Sequence, residues 1–417
     1  MSLLSPKLAK QIAVNFGTPI YVYDKAALEK QADVALAFPN AFGLTVRFAM
    51  KALPNAAVLR IFDRKGLHFD ASSGYEAWRA IRAGIAPQKI SLSTQEFPDD
   101  FADLWKTGIK VNACSLSQID RIGRQFPGAE IGVRLNPGKG SGGTGKTNVG
   151  GPDSSFGIWH EYVDNVLDLA RQHRLKIVRV HTHIGSGSDP VIWQQVSQMS
   201  LELVKKFPDA TVLNLGGGFK VARVSSEKGT DMQTVGIPIK EAIEKLAKET
   251  DRQLHLEIEP GTFLVANCGV VISRIQDIVD TGTAGHRFLK LDTGMTDILR
   301  PSLYGAQHPV FTVPARDTGK KHDYVVVGHC CESGDLVTCA PGDPEALSSR
   351  SLPEVQIDDI CVIGGAGAYC SAMSSKNYNS FPESAEVLID ANGKPTLIRR
   401  RQMLEQIIQN EILPEGL

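Results

Sequence analysis

The sequence predicts a TIM (β/α)8 barrel, an α/β fold, followed by a C-terminal β-domain of sandwich or barrel type. Three observations carry this. Eight short β-branched runs, each except the last with a clear helical pattern after it, occupy roughly 230 residues, the number of units and the length that a barrel requires. Beyond about residue 265 the helical patterns give way to strands separated by turns. The unusual polar residues of the first part fall at the C-terminal ends of its strands, the rim where barrels of this kind place their active sites.

The elements read in order as follows. TVRFAMK (45–51) precedes the helix-like PNAAVLRIFDRKG, LHFDA (67–71) precedes GYEAWRAIRAG, and KISLS (89–93) precedes PDDFADLWKTG. KVNAC (110–114) precedes LSQIDRIGRQF, and EIGVRLN (130–136) is followed by a glycine-rich loop before HEYVDNVLDLARQH. KIVRVHTHI (176–184), ATVLNLG (210–216) and QLHLEIEP (253–260) complete the eight. A doubly wound sheet is the alternative, but it usually has fewer strands and a dinucleotide-binding glycine loop after its first one, where this chain has Lys51. In the second part GVVISRIQDIV, RFLKLD, PVFTV, DYVVVGHC, DICVIGG and AEVLID read as strands without helices between them, and IRRRQMLEQIIQNEIL as a closing helix. The N-terminal MSLLSPKLAKQIAVNFG reads as a short helix without the apolar core of a secretion signal. The expected division is a barrel over 25–265 that binds cofactor, and a β-domain of 1–24 plus 266–417 that completes the active site.

Composition narrows the class of function. With 42% hydrophobic and 22% charged residues the chain is an ordinary globular protein. Its 45 basic and 46 acidic residues leave a net charge of −1, so nothing draws it to nucleic acid or to an anionic membrane, and a small molecule is the expected partner. No apolar run approaches the roughly 18 residues of a membrane-spanning helix. Seven cysteines, an odd number without CxxC pairs, suit reduced thiols in a cytoplasm and offer no zinc site; no metal is expected.

At the rim, each polar residue has a chemical use as well as a bland one. Lys51 ends a buried strand, where an ammonium is costly to desolvate; an amine ready to lose its proton is what imine formation with a carbonyl cofactor needs. Asp70 and Arg134 end two further strands. Asn214-Leu215-Gly216-Gly217-Gly218-Phe219 lets backbone N–H groups approach an anion closely, although triple glycine is also common in tight turns. In His181-Thr182-His183-Ile184-Gly185-Ser186 the two histidines share a strand face and resemble a metal pair; the alternative is an imidazole stacked on a flat cofactor ring, with Ser186 reaching a phosphate. Glu259 could face a pyridine nitrogen and keep it protonated, or be merely a solvated strand end.

Together with Asp292-Thr293-Gly294-Met295-Thr296-Asp297-Ile298-Leu299-Arg300-Pro301-Ser302-Leu303-Tyr304-Gly305, Cys331-Glu332-Ser333-Gly334-Asp335 and Gly367-Ala368-Tyr369, these segments closely resemble the diaminopimelate decarboxylases, fold-type III pyridoxal-phosphate enzymes. The likeness runs in order from about Gly17 to Arg401. CESGD and RPxLYG are specific; EPG and GGG are not. The resemblance implies that Lys51 bonds the cofactor, that His183 stacks on its ring, and that Glu259 pairs with its nitrogen. Asp70 and Arg134 would join the cofactor site, and Gly217, Gly218, Ser186 and Tyr369 would hold the phosphate. Arg300, Tyr304, Glu332 and Tyr369 would contact substrate. Cys331, as a catalytic residue, and Glu332 would come from a partner subunit, making the active form a homodimer. The reaction implied is meso-2,6-diaminopimelate to L-lysine and carbon dioxide; a basic amino-acid decarboxylase of ornithine, lysine or arginine type is the alternative.

Two features stand apart. Gly140-Ser141-Gly142-Gly143-Thr144-Gly145-Lys146-Thr147 matches GxxxxGK[ST] of P-loop nucleotidases, but that motif needs a helix to start at the lysine, and Asn148-Val149-Gly150-Gly151-Pro152 cannot supply one. A mobile glycine-rich loop near the rim is the preferred reading. The chain also departs from the family at Thr262, where Glu-Pro-Gly is usually followed by arginine, and at Phe381, where arginine is common. Lys376 is the residue first considered for the missing charge.

Overall fold

The computed structural model describes residues 3–417, which divide into two compact units. One comprises Leu28–Ala222 and Glu227–Leu264; the other comprises the residues up to Ala27, Arg223–Ser226 and Val265–Leu417. Strand β1 (Ile20–Asp24) belongs to the second unit.

The first unit is the barrel the sequence predicts. Its parallel strands are β2 (Leu44–Ala49), β3 (His68–Ala71), β4 (Ile90–Leu92), β5 (Lys110–Ala113), β6 (Glu130–Asn136), β8 (Lys176–Thr182), β9 (Val212–Asn214) and β10 (His255–Ile258), with a two-residue β7 (Ile158–Trp159) beside β6. Pairing of β5 with β6 and of β10 with β2 closes the ring. The main intervening helices begin where the side chains of Asn55, Ser73, Ser115, Asp189 and Asp231 accept N–H groups of the first turn. Their buried residues follow helical spacing, as in Val58, Leu59, Ile61 and Phe62.

Strand periodicity sorts the barrel into an apolar outside and a polar inside. Val46, Phe48, Leu256 and Ile258 are buried apolar positions, whereas Arg47 and Glu257 between them meet each other. Arg47 donates from Nε (3.0 Å) and Nη2 (2.7 Å) to the two oxygens of Glu257, and Arg179 Nε lies 3.1 Å from Glu257 Oε2. Nearby, Asn112 donates to Ser91 and Ser93. Gly132 leaves space for this layer, since a Cβ there would lie 1.9 Å from Asn112 Oδ1 and 3.2 Å from Arg179 Cβ. Burial alone would raise the Glu257 carboxyl, but the two arginines hold it down at about 2.

The second unit is built on a nine-stranded sheet of order β17-β14-β12-β11-β1-β19-β20, with β13 and β18 branching from β11. Its strands after β1 are β11 (Gly269–Asp280), β12 (Arg287–Leu291), β13 (Val310–Val313), β14 (Lys321–Val327), β17 (Arg350–Pro353), β18 (Ile360–Ile363), β19 (Ala385–Ile389) and β20 (Pro395–Arg399); β15 (Cys339–Ala340) and β16 (Asp343–Leu347) form a separate hairpin. β1 lies antiparallel to β11 and parallel to β19. Ile20, Val22, Val270, Ile272, Ile360, Val362, Val387 and Ile389 form its core, onto which Ala9, Ile12 and Ala13 of the helix Pro6–Phe16 pack.

Several local expectations are corrected. The strands ending at Ala49, Thr182 and Ile258 stop before Lys51, His183 and Glu259, which occupy the turns that follow; Lys51 sits on the 3-10 turn Met50–Ala52. The closing helix over 398–413 is replaced by edge strand β20 and a five-residue helix, Leu404–Ile408. Pairing with β19 captures Leu397 to Arg399, and Leu404, Ile412 and Leu413 remain exposed, so no buried face sustains a longer helix. A short helix, Arg300–Tyr304, interrupts the strands of the second unit.

Glu257→Ala would strand two buried guanidiniums and is expected to cost about 3–5 kcal/mol, read as a lower urea midpoint. A depressed folded pKa means that the carboxylate's contribution is full above its unfolded value of about 4.3 and is lost as pH falls toward about 2. The unsubstituted chain should therefore lose melting temperature across that window more steeply than Glu257→Gln.

Candidate active site

Above the arginine layer the polar ladder continues to the rim. Asn214 joins the two levels, donating from Nδ2 to Glu257 Oε2 (3.3 Å) and to Glu259 Oε1 (2.6 Å). His181 Nε2 lies 3.1 Å from the other oxygen of Glu259. Burial works to raise the Glu259 carboxyl, yet His181 and Asn214 outweigh it and hold this group well below the usual carboxylate range. Asp70, also buried, goes the other way: desolvation and then the charge of Glu259 push it well above its ordinary value, against the pull of Lys51 and Arg134. Its Oδ1 has no hydrogen-bond partner. The His183 imidazole is kept neutral by burial first and by Lys51 and Arg134 second. Lys51, Asp70, Arg134, His183 and Glu259 are thus close enough to act on one another's charge. The turn carrying Lys51 is tied to the one carrying Glu259 through Ala49 N–H and Pro260 O, 3.2 Å apart.

Beside these groups the three glycines form a backbone cradle. Gly217 N–H donates to His183 Nδ1 (3.3 Å), and Gly216 N–H to Asn214 Oδ1 (2.8 Å). A Cβ on Gly217 would lie 2.3 Å from Glu259 O; one on Gly218, at φ +104°, would lie 2.7 Å from Gly185 O. The segment resembling a P-loop is strapped to the adjoining turn. Ser141 N–H and Val149 N–H both donate to Ile184 O, Gly143 N–H to Ser186 O and Ser186 N–H to Thr147 O, while Ser188 Oγ–H donates to Ser141 O. No α-helix starts at Lys146, which lies in the 3-10 turn Gly145–Thr147, so the nucleotide geometry is absent from this segment. The strap ends in Asp189, whose N–H bonds Ser141 Oγ and whose carboxylate caps the helix Pro190–Lys205.

In the second unit, Cys331 and Glu332 are exposed on a loop anchored by the Asp335 carboxylate, which accepts from Met295 N–H (2.6 Å) and Cys330 N–H (2.9 Å). Cys331 N–H donates to Asn379 Oδ1 (3.0 Å), and Phe381 stacks on His329 at 3.6 Å with ring planes 7° apart. Phe381 is thus a packing residue of this loop. Tyr304 O–H reaches Met373 Sδ at 3.8 Å, and Tyr369 takes a left-handed φ of +55°. Lys376, considered above for the missing charge, is engaged by Glu383 at 2.9 Å.

A family model described as "Pyridoxal-dependent decarboxylase, pyridoxal binding domain" matches residues 26–266. Diaminopimelate decarboxylase of Escherichia coli (strain K12) is 36% identical over 413 residues, covering 97% of this chain and 96% of that one. The chain belongs to the diaminopimelate decarboxylase family. A crystal structure of diaminopimelate decarboxylase, 35% identical, matches with a TM-score of 0.88 over 96% of this chain and 94% of that one. Diaminopimelate decarboxylase of Helicobacter pylori, crystallised with L-lysine, is 27% identical and gives 0.83 over 96% and 98%. The residues of this diaminopimelate decarboxylase-family rim fit pyridoxal phosphate: a cradle that a Cβ would fill, a buried anionic Glu259 and the orphaned Asp70 oxygen offer contacts to its phosphate and ring.

Sequence reading missed the clamp on Glu259. Asn214 was visible only as the start of the glycine motif, and His181 as half of a metal pair. The period-two spacing of His181 from Arg179 was the available signal that it faces the barrel interior. For the cradle, Gly217→Ala should weaken binding of pyridoxal phosphate by about tenfold or more, because the backbone must shift to clear Glu259. Titration of apo-protein, followed by visible absorbance, measures this against an unchanged far-ultraviolet circular dichroism spectrum.

Proposed function

We propose that the chain converts meso-2,6-diaminopimelate to L-lysine and carbon dioxide with pyridoxal phosphate, acting as a homodimer in the cytoplasm. The observation that carries the reading is Glu259, buried and held anionic beside a neutral His183 and a glycine cradle. Bound pyridoxal phosphate supplies an electron sink for the bond to the departing carboxylate. Lys51 holds the cofactor through its amine. Glu259 keeps a proton on the ring nitrogen, and the neutral face of His183 supports the ring. Gly217, Gly218 and Ser186 receive the phosphate, with Tyr369 as a further donor, and Asp70 and Arg134 border the ring. Arg300, Tyr304 and Tyr369 contact substrate.

Arg300 favours a substrate with a distal carboxylate over ornithine, lysine or arginine, whose distal cation it would repel in a buried site. The exposed, specifically matching Cys331-Glu332 segment supports delivery of both residues to a partner's site. Among the described residues no disulfide forms and no helix is long and apolar enough to cross a membrane, which suits a reducing compartment.

Borohydride reduction of the yellow protein should fix the cofactor on Lys51, identified by peptide mass. Carbon dioxide release should be fastest from meso-diaminopimelate when compared with L-lysine, L-ornithine and L-arginine at equal concentration. A label on another lysine, or preference for a monocarboxylate, overturns the corresponding half of the reading. Mixing inactive Lys51→Ala with inactive Cys331→Ala should restore activity through hybrid dimers that carry one intact site. No recovery after verified subunit exchange would exclude a shared site.

A further inference from the structure

We propose that Arg223 is a specificity-determining residue that, together with Arg300, holds the carboxylate the substrate keeps through the reaction. The inference rests on the diaminopimelate reading above and deepens it.

Arg223 lies in the barrel's stretch of sequence, yet Arg223–Ser226 packs as part of the second unit. Its side chain crosses Gly365, where a Cβ would lie 3.0 Å from both Cγ and Cδ of the arginine; Gly365, at φ +64°, gives that stem its path. Arg223 Nε donates to Gly365 O at 3.0 Å, which fixes the orientation of the guanidinium. The preceding carbonyl, Gly364 O, lies 2.9 Å from Nδ1 of His308, a residue only 2% exposed, whose Nε2 has no hydrogen-bond partner. Arg223 and His308 therefore sit on consecutive carbonyls of the loop that runs on to Tyr369.

Arg300 converges on the same place. Burial, then Arg223, then Arg300 keep His308 neutral, and both arginines pull against the burial that raises the Cys370 thiol to about 11. Arg300 Nε and Ser302 Oγ are buried without hydrogen-bond partners. Two guanidiniums acting on one neutral imidazole repel each other unless an anion lies between them, and a carboxylate is the anion whose geometry suits two planar forks. Decarboxylation of diaminopimelate to lysine leaves one carboxylate in place, and that group needs a cationic seat. Thr262 brings no charge, and Lys376 is engaged by Glu383. Arg223 supplies the second cation.

The test uses the holoenzyme and three ligands: meso-diaminopimelate as substrate, L-lysine as an inhibitor that keeps the carboxylate, and 1,5-diaminopentane as the same chain without it. Arg223→Gln should raise the KM for diaminopimelate and the Ki for L-lysine by on the order of tenfold to a hundredfold. The Ki for 1,5-diaminopentane and the visible cofactor band should not change, and Arg223→Lys should recover part of the loss. Unchanged values for diaminopimelate and L-lysine overturn the proposal. So does equal weakening of all three ligands, which would make Arg223 a mere prop for Gly365. If the unsubstituted chain fails to turn over diaminopimelate, the reading of the reaction falls first and this inference falls with it.

Discussion

Glu257, gripped by Arg47 and Arg179 inside a closed barrel, is the interaction on which the catalytic end depends. Barrels of this type are commonly filled by layers of branched apolar side chains. Here one layer is ionic, and it is affordable only because every strong donor and acceptor is matched: the carboxylate takes a two-pronged arginine, a second arginine and an amide. Asn214 then turns this layer into a footing for the next, since the same amide nitrogen reaches Glu259. The orientation of the rim carboxylate is thus inherited from a charge balance one level below it.

At that rim two neighbouring carboxyls are driven apart in acidity. Glu259 has a histidine and an amide and stays ionised; Asp70 is buried with the charge of Glu259 close by and holds its proton. Opposite protonation of two similar groups is a recurring way to obtain both a donor and an acceptor from carboxyl chemistry at neutral pH. The backbone contributes by crowding. Gly185, Gly217 and Gly218 are packed so closely against Ser141, Glu259 and Gly185 carbonyls that side chains are excluded, which leaves main-chain N–H groups as the surface offered to an anion.

The barrel was legible because its strands alternate with helices of clear period, and because its rim residues recur at strand ends. Placement of those residues was right in region but not in detail: Lys51, His183 and Glu259 lie on turns, and a strand's last residue is set by ladder geometry that sequence does not encode. The second unit was legible where strands were apolar, as in β11 and β18. It was illegible where they were not, as in Asp343–Leu347, whose residues alternate between exposed and half-exposed. The C-terminal segment misled because Leu397 and Ile398 fit a helical period but were claimed by an edge strand. Side-chain partnerships across distant segments were not legible at all. The lysine at 376 looked available until Glu383 was found beside it, and nothing local to Arg223 signalled Gly365, 142 positions along the chain.

The position of β1 has a consequence for synthesis. This strand, complete after 24 residues, lies in mid-sheet between β11 and β19, and β19 is made last but for some thirty residues. A ribosome-bound chain therefore carries an apolar strand, Ile-Tyr-Val-Tyr, with both edges unpaired while the whole barrel emerges. The barrel's own strands close on partners made within its span, so it can mature first. The second unit, whose sheet joins the first and last parts of the message, is the part a nascent chain must keep from pairing with strangers until translation is nearly over.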